Sequence, residues 1–166
     1  MTRSCSPSPS LLAGLVALLA VALPQDVAAQ SSPEQDVMAV VKRLFDGMRA
    51  GDSAMARSAF DAMAQLVSVS PPDSAGIYHV SEAPIDRFLA AIGTAHTDVW
   101  DERIFDTEVR VDAGLASVWA KYAFYRGETL NHCGVDAFQL ALRPEGWKII
   151  QVADTRRTAN CWKPPR

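Results

Sequence analysis

Three ionisable residues interrupt an otherwise apolar stretch near the C-terminal end of the sequence. Asp136 and Asp154 lie in segments rich in strand-forming residues, and His132 precedes the first of them. Two carboxylates that face each other away from water repel, which raises the pKa of at least one toward that of a general base. Histidine exchanges protons near neutral pH. Asp136 and His132 are therefore the candidate catalytic residues.

A meander of strands must position these residues. Apolar and polar residues alternate from Val99 onward, and turn-forming residues interrupt the alternation. The predicted strands are 104–111, 115–125, 130–142 and 147–154.

Pairing these strands across their turns predicts which side chains share a face. One cross-strand row contains Thr107, Trp119, Asp136 and Asp154, and Lys121 and His132 lie toward one end of the same face. A single β-bulge would shift this register. The predicted ligand-binding residues are Trp119, Lys121, Asp136 and Asp154, in a pocket where the cone of the sheet opens.

Each candidate also has a structural interpretation. Asp136 could pair with Lys121, Asp154 could pair with Arg156, and His132 could be an exposed residue at the start of a strand. Trp119 could serve simply as a large apolar side chain in the core.

The opposite face of the predicted sheet is also apolar. It carries Ile104, Val118, Ala120, Tyr122, Phe124, Val135 and Ala137. If the helices cover the first face, this second face needs another cover. We therefore expect a homodimer formed through the outer face of the sheet.

Helical periodicity precedes the meander. A first helix begins at Ser32–Pro33 and stops at Gly51, and a third spans 83–95. Asp52 or Ser53 caps a second helix, in which Met55, Phe60 and Met63 are expected to face inward. Short strands are predicted at 66–70 and 77–81. Helices followed by antiparallel strands indicate an α+β fold, in which two or three N-terminal helices pack on a curved antiparallel sheet.

The N-terminal segment has the layout of a secretory signal peptide. A basic start at Arg3 precedes the apolar run Leu11–Leu23, and small residues end at Ala29. We expect a signal peptide over 1–29, a linker over 30–33, one domain over 34–157 and a tail over 158–166. The mature protein is then expected to be periplasmic or secreted.

The composition and motifs of the chain exclude several classes of binding partner. The formal charge of −3 shows no basic footprint for nucleic acid and no cationic patch for a membrane surface after cleavage. Three scattered histidines make no metal-ligand pattern, and no phosphate-binding or dinucleotide-binding glycine motif is present. We expect no metal and no cofactor. A small apolar or aromatic molecule is the expected ligand.

Two cysteines remain after the expected cleavage. In an oxidising compartment, Cys133 and Cys161 are predicted to form a disulfide that ties the tail to the sheet. The alternative is one buried thiol and one exposed thiol.

The C-terminal half resembles the nuclear-transport-factor-2-like superfamily, and within it the SnoaL-like and lumazine-binding-like bacterial branches. The resemblance rests on Phe138, Leu140, the run Gly146–Ile149, Asp154–Thr155 and the upstream run His132–Gly134. It implies a cone-shaped α+β barrel around a pocket over about residues 34–157, often dimeric through its sheet. Members include isomerases, dehydratases, cyclases and hydrolases, so the fold does not decide the function.

The sequence is compatible with three functional hypotheses. The leading one is an exported domain that binds a small molecule in a conical apolar pocket, with no assigned reaction. The second is an isomerase or dehydratase that uses Asp136 or His132 as general base on an enolisable substrate. The third is a structural or interaction module whose pocket its own side chains fill.

Overall fold

Three helices and six strands form the domain. The computed structural model describes residue 1 and residues 31–162, so residues 2–29 of the predicted signal peptide, Gln30 and residues 163–166 lie outside the described residues. The elements are α1 (Pro33–Ala50), α2 (Ser53–Ser58), β1 (Phe60–Val69), β2 (Val80–Ala83), α3 (Ile85–Gly93), β3 (Trp100–Asp112), β4 (Leu115–Arg126), β5 (Thr129–Arg143) and β6 (Gly146–Thr155).

The sheet has the order β2-β1-β6-β5-β4-β3. The α+β class is confirmed, and the predicted four-strand meander forms β3 to β6. The sheet is mixed rather than purely antiparallel, because β1 pairs with β6 in parallel. Its strands do not close into a full barrel, since β2 and β3 are separate edges.

The first helix forms where the sequence predicts it. The Ser32 hydroxyl accepts a hydrogen bond from the Gln35 backbone N–H, and the Gln35 side chain accepts one from the Ser32 backbone N–H. This reciprocal pair satisfies donors that a helix start leaves free. Gly51 ends α1 in the left-handed conformation, at φ 64°.

The second helix is shorter than predicted. Asp52 caps it, but α2 ends at Ser58 and the chain continues as β1. Strand pairing overrides helical periodicity here, because the Ile149 N–H donates to the Ala59 carbonyl and β1 then runs beside β6. Met63, which was expected to face inward, is 79% exposed.

The core lies between α1 and the concave face of the sheet. The buried side of α1 packs there, and the Phe45 and Phe138 rings meet edge to face at 6.1 Å. The fully buried side chains of β4 to β6 in this cluster include Val118, Tyr122, Phe138, Leu140 and Ile149.

The prediction of which β4 residues face inward was wrong. Tyr125 lies opposite Leu130 as expected, but Asn131 is an extra residue, so Phe124 pairs with His132. This bulge places Ala120, not Trp119, opposite Asp136. A shift of one residue exchanges the two faces of a strand.

The same shift removes the argument for the dimer. The β4 residues expected on an uncovered face, Val118, Ala120, Tyr122 and Phe124, are buried on the concave side. Dimerisation itself stays a prediction, without that support.

A second irregularity lies in the β3–β4 hairpin. Asp112, rather than Val111, pairs with Leu115, and a bulge between Phe105 and Glu108 takes Thr107 out of the predicted row. None of the described helices combines the length and apolarity needed to cross a bilayer.

Candidate functional site

An open cavity of about 320 Å³ lies between the helices and the concave face of the sheet. Helices α1 and α3 and strands β1, β5 and β6 contribute its apolar wall. That wall includes Leu44, Met48, Phe60, Leu66, Phe88 and Phe138. A cavity of this size and character suits a small, mostly apolar molecule.

Polar side chains reach this cavity from adjacent strands. Asp136 pairs with Asp154 across β5 and β6, and Asp154 pairs with Ser68 of β1. Glu102 and Tyr122 join them from β3 and β4. The Asp136–Asp154 pairing was predicted. The β5–β6 turn is one residue shorter than predicted, since Arg143 pairs with Gly146, and a bulge between Gln139 and Leu140 restores the register.

Asp136 is the most deeply buried carboxyl of the site. It is 3% exposed, and its Oδ2 atom has no hydrogen-bond partner among the described residues. Burial and the neighbouring Glu102 raise the pKa of Asp136 well above its ordinary value. The raised pKa favours the protonated form of Asp136, whose O–H can donate a hydrogen bond.

Glu102 is the second member of this carboxyl pair. Burial raises its pKa to about 7, and repulsion from Asp154 adds to the rise, whereas a hydrogen bond with Asp136 opposes it. Glu102 is therefore close to half ionised at neutral pH. The half-buried Glu102 and the protonated Asp136 form an acid–base pair, here called the carboxyl pair.

Asp154 is occupied by other partners. Ser68 Oγ donates to Asp154 Oδ1, and Arg156 Nη2 lies 3.2 Å from Asp154 Oδ2. The ion pair considered for this residue from the sequence is therefore present. Asp154 lines the cavity, and its charge contributes to the raised pKa of both members of the carboxyl pair.

Tyr122 crosses β5 beneath the site. Its hydroxyl donates to the Thr155 carbonyl oxygen at 2.9 Å. Burial, followed by the Asp154 charge, raises the Tyr122 pKa above its ordinary value. Gly134 permits the crossing, since a Cβ there would lie 1.7 Å from the Thr155 oxygen and 2.7 Å from Tyr122 Cε1.

His132 lies beside the cavity and does not line it. It is 9% exposed, its Nδ1 lies 2.8 Å from Asn131 Oδ1, and its ring packs against Phe124. Burial lowers its pKa to about 4, and the Arg156 charge contributes. The histidine is neutral and buried at neutral pH, so the alternative interpretation, an exposed residue at the start of a strand, is wrong.

Trp119 and Lys121 do not reach the cavity. Both lie on the outer face, where Trp119 is 53% exposed and Lys121 Nζ bonds Asp106 Oδ2 at 2.6 Å. They therefore do not share the face of Asp136, contrary to the predicted register, and the cause is the bulge at Asn131. Because of the same bulge, the predicted register placed Tyr122 on the outer face of the sheet, and Tyr122 was therefore missed as a cavity residue.

Sequence reasoning also missed Glu102 and Arg156 as site residues. Glu102 shares a strand face with Ile104, and Asp101 and Arg103 surround it with charges typical of an exposed strand. Asp101 indeed pairs with Arg103 at 2.6 Å. Alternation with Ile104 was the available signal, but only the correct β3–β4 register turns that face inward.

The C-terminal tail folds back on the outer face beside the site. Cys133 and Cys161 lie at disulfide distance, with their Cα atoms 5.6 Å apart. The backbones of Cys133 and Arg157 exchange two hydrogen bonds of 2.9 Å. The Trp162 ring lies 3.9 Å from the Arg157 guanidinium carbon. These contacts extend the β5–β6 pairing past Thr155 and hold the segment that carries Arg156.

Within residues 31–162, no three His, Cys, Asp or Glu side chains are arranged to hold a metal ion.

Comparison with known proteins places the fold. No family model matches the chain, and no curated protein matches its sequence. Among solved structures, an NTF2-like protein of unknown function from Shewanella baltica OS155 superposes with a TM-score of 0.56 at 16% identity, over 75% of this chain and 94% of that one.

Two further solved structures carry proposed activities. A proposed dehydratase of the NTF2-like family from Streptomyces avermitilis has a TM-score of 0.56 at 18% identity, covering 76% of this chain and 96% of its own. A proposed ketosteroid isomerase from Shewanella frigidimarina NCIMB 400 has a TM-score of 0.53 at 13% identity, covering 74% and 96%. The nuclear-transport-factor-2-like fold inferred from the sequence is thus confirmed, and these identities establish the fold alone.

Proposed function

We propose that the protein binds a small, mostly apolar molecule in the cavity, and that a neutral oxygen of this molecule hydrogen-bonds to the carboxyl pair. The observation that carries the proposal is the unpartnered Oδ2 of Asp136 at the polar end of an apolar cavity. A buried polar atom without a partner costs about 1–3 kcal/mol. A ligand that supplies the partner recovers that energy.

The protonation of the pair indicates the kind of group it prefers. Asp136 favours its protonated form and shares a hydrogen bond with Glu102, so the carboxyl pair holds a proton that it can donate. A carbonyl, ether or hydroxyl oxygen is the complementary group. A ligand anion at this position would meet the charges of Glu102 and Asp154 and is disfavoured. The cavity volume of about 320 Å³ also speaks against the third hypothesis, in which the protein's own side chains fill the pocket.

A second candidate function is proton transfer on the bound molecule. It is favoured by the pKa of Glu102, which at about 7 is suited to both accepting and returning a proton. With a ketone bound, the C–H bond next to the carbonyl would break, its proton would move to Glu102, and its electron pair would move toward the carbonyl oxygen. The Asp136 O–H would stabilise the developing charge.

Return of the proton from Glu102 to another carbon would complete an isomerisation. Transfer of that proton to a departing hydroxyl, which would leave as water while the electron pair forms a carbon–carbon double bond, would complete a dehydration. The dehydratase and ketosteroid isomerase proposals for proteins of the same fold are consistent with this chemistry. Tyr122 is not assigned a donor role, since its proton is used by Thr155. Glu102, rather than His132, is the general base in this scheme, because His132 lies outside the cavity lining.

Location and assembly form part of the proposal. The signal-like segment 1–29 supports export to the periplasm or beyond. Leu115 and Trp119, both 53% exposed, lie on the outer face of β4 and could support a homodimer there. Size-exclusion chromatography with light scattering tests this, since Trp119→Glu should convert a dimer to a monomer.

The test of binding uses a fluorescent naphthyl ketone, which is neutral, flat and sensitive to polarity. Wild type should bind it with a blue shift of its emission. Asp136→Leu, which keeps the size of the side chain and removes its donor, should weaken binding about fivefold to tenfold, the equivalent of one hydrogen bond. Glu108→Gln on the outer face is the matched control and should bind as wild type does. Equal affinity in Asp136→Leu and wild type would refute the site.

Turnover separates the two candidate functions. In a proton-transfer enzyme, deuterium at the carbon next to the ketone should exchange with water in wild type and not in Glu102→Gln. A binding protein should retain that deuterium in both.

A further inference from the structure

We propose that the ligand is an amphipathic acid, whose carboxylate pairs with Arg87 at the mouth while its neutral oxygen reaches the carboxyl pair. This inference rests on the proposed function and specifies the chemical class of the ligand.

Arg87 is the cation of the cavity that is free to bind a ligand. It lines the cavity from the first turn of α3 and forms no ion pair within residues 31–162. Arg156, the other lining cation, is engaged by Asp154. The neighbour Asp86 does not neutralise Arg87, because Asp86 pairs with Arg57.

Arg87 and the carboxyl pair line different walls of the cavity. Helix α3 packs against α2 and β1, on the side of the sheet that ends in β2. Glu102 and Asp136 come from β3 and β5, toward the other edge. Apolar side chains, among them Phe60 and Phe88, line the cavity between these walls. A ligand that satisfies both walls therefore has an apolar body with a polar group at each end.

The charges also set the orientation of such a ligand. A carboxylate is repelled by the Glu102 and Asp154 side but can form two parallel hydrogen bonds with a guanidinium. A cationic group at the mouth would meet the unpaired Arg87 and is disfavoured. The acid therefore points outward and the neutral oxygen inward.

The test compares a naphthyl ketone bearing a terminal carboxylate with its methyl ester, which has the same body and carbonyl but no charge. Wild type should bind the acid about fivefold more tightly than the ester at low salt, and added salt should reduce this preference because Arg87 is exposed. Arg87→Gln should lose the preference and leave the affinity for the ester unchanged. Arg110→Gln, an exposed arginine of the outer face, is the control and should keep the preference.

The outcomes separate this inference from the proposed function. If wild type binds acid and ester equally, or if Arg87→Gln keeps the preference, Arg87 is an ordinary solvated residue and the inference is overturned. In that case, weakened ester binding by Asp136→Leu would leave the proposed function intact. If neither compound binds to wild type, the proposed function is overturned together with the inference.

Discussion

Tyr122 on β4 hydrogen-bonds the backbone of Thr155 on β6 across the intervening strand, at 2.9 Å. The contact needs the bare backbone of Gly134 on β5, because any side chain there would collide with both partners. This hydrogen bond fixes the start of the segment that carries Arg156. It also engages the only proton of the Tyr122 hydroxyl, which therefore cannot donate to a ligand. The donor chemistry of the cavity therefore falls to the carboxyl pair.

Substitution of Gly134 tests this crossing. Gly134→Ala should destabilise the protein by about 2–3 kcal/mol, as expected when an added methyl forces the backbone to shift. Urea unfolding measures the loss. Gly114→Ala is the control, because its new Cβ would meet nothing closer than the Leu142 Cβ at 3.9 Å. Similar stabilities for the two variants would contradict the described contact.

The raised pKa of Glu102 predicts a pH-dependent contribution to stability. Between its ordinary value of 4.5 and about 7, the folded protein holds a proton that the unfolded chain releases, so stability falls as pH rises. Glu102→Gln removes this contribution, and its stability relative to wild type should rise by up to about 3 kcal/mol across that window. Unfolding curves at several pH values measure it, and Glu108→Gln should show no such trend.

The lowered pKa of His132 predicts the opposite slope. Between about 4 and 6.5 the unfolded chain binds a proton that the folded protein does not, so this contribution is lost as pH falls. His132→Phe should therefore lose stability less steeply than wild type on acidification from pH 6.5. Because Glu102 and His132 oppose each other over this range, only the variants reveal them. A His132 proton resonance that titrates near 6.5 would contradict the burial described here.

The pairing of Cys133 with Cys161 predicts a redox-dependent stability. The cysteines are 28 residues apart, so a disulfide should contribute roughly 3–4 kcal/mol by restricting the unfolded chain. Reductant should lower the unfolding midpoint of wild type and leave that of Cys161→Ser unchanged. Intact mass of the exported protein, purified without reductant, reports the bond and the cleavage site together. Two free thiols would refute the bond.

Much of the fold could be predicted from the sequence, because it depends on residues that are close together along the chain. Ser32 and Gly51 delimit α1 because caps are local chemistry, and the strands of the meander follow from alternation and turn residues. The parallel pairing of β1 with β6 was not readable, since it joins segments about 90 residues apart. The short α2 was missed for the same reason, because a contact with β6 ends it.

The site was only partly predictable. Asp136 was found because an aspartate inside an apolar strand is unusual. Trp119 was assigned to the pocket in place of Tyr122, because the single extra residue Asn131 inverts β4 relative to β5. Glu102 was missed because its charged sequence neighbours are those of an exposed edge. Bulges carry no clear local signature, yet they decide which face a residue joins.

A crystal structure of the complex with the naphthyl ketone is the most direct test of the central claim. We expect the probe in the cavity, with its carbonyl oxygen within hydrogen-bonding distance of the Asp136 carboxyl and its rings between Phe60 and Phe138. A probe bound instead in the outer-face groove beside Trp119, with the cavity unoccupied, would contradict the proposed function.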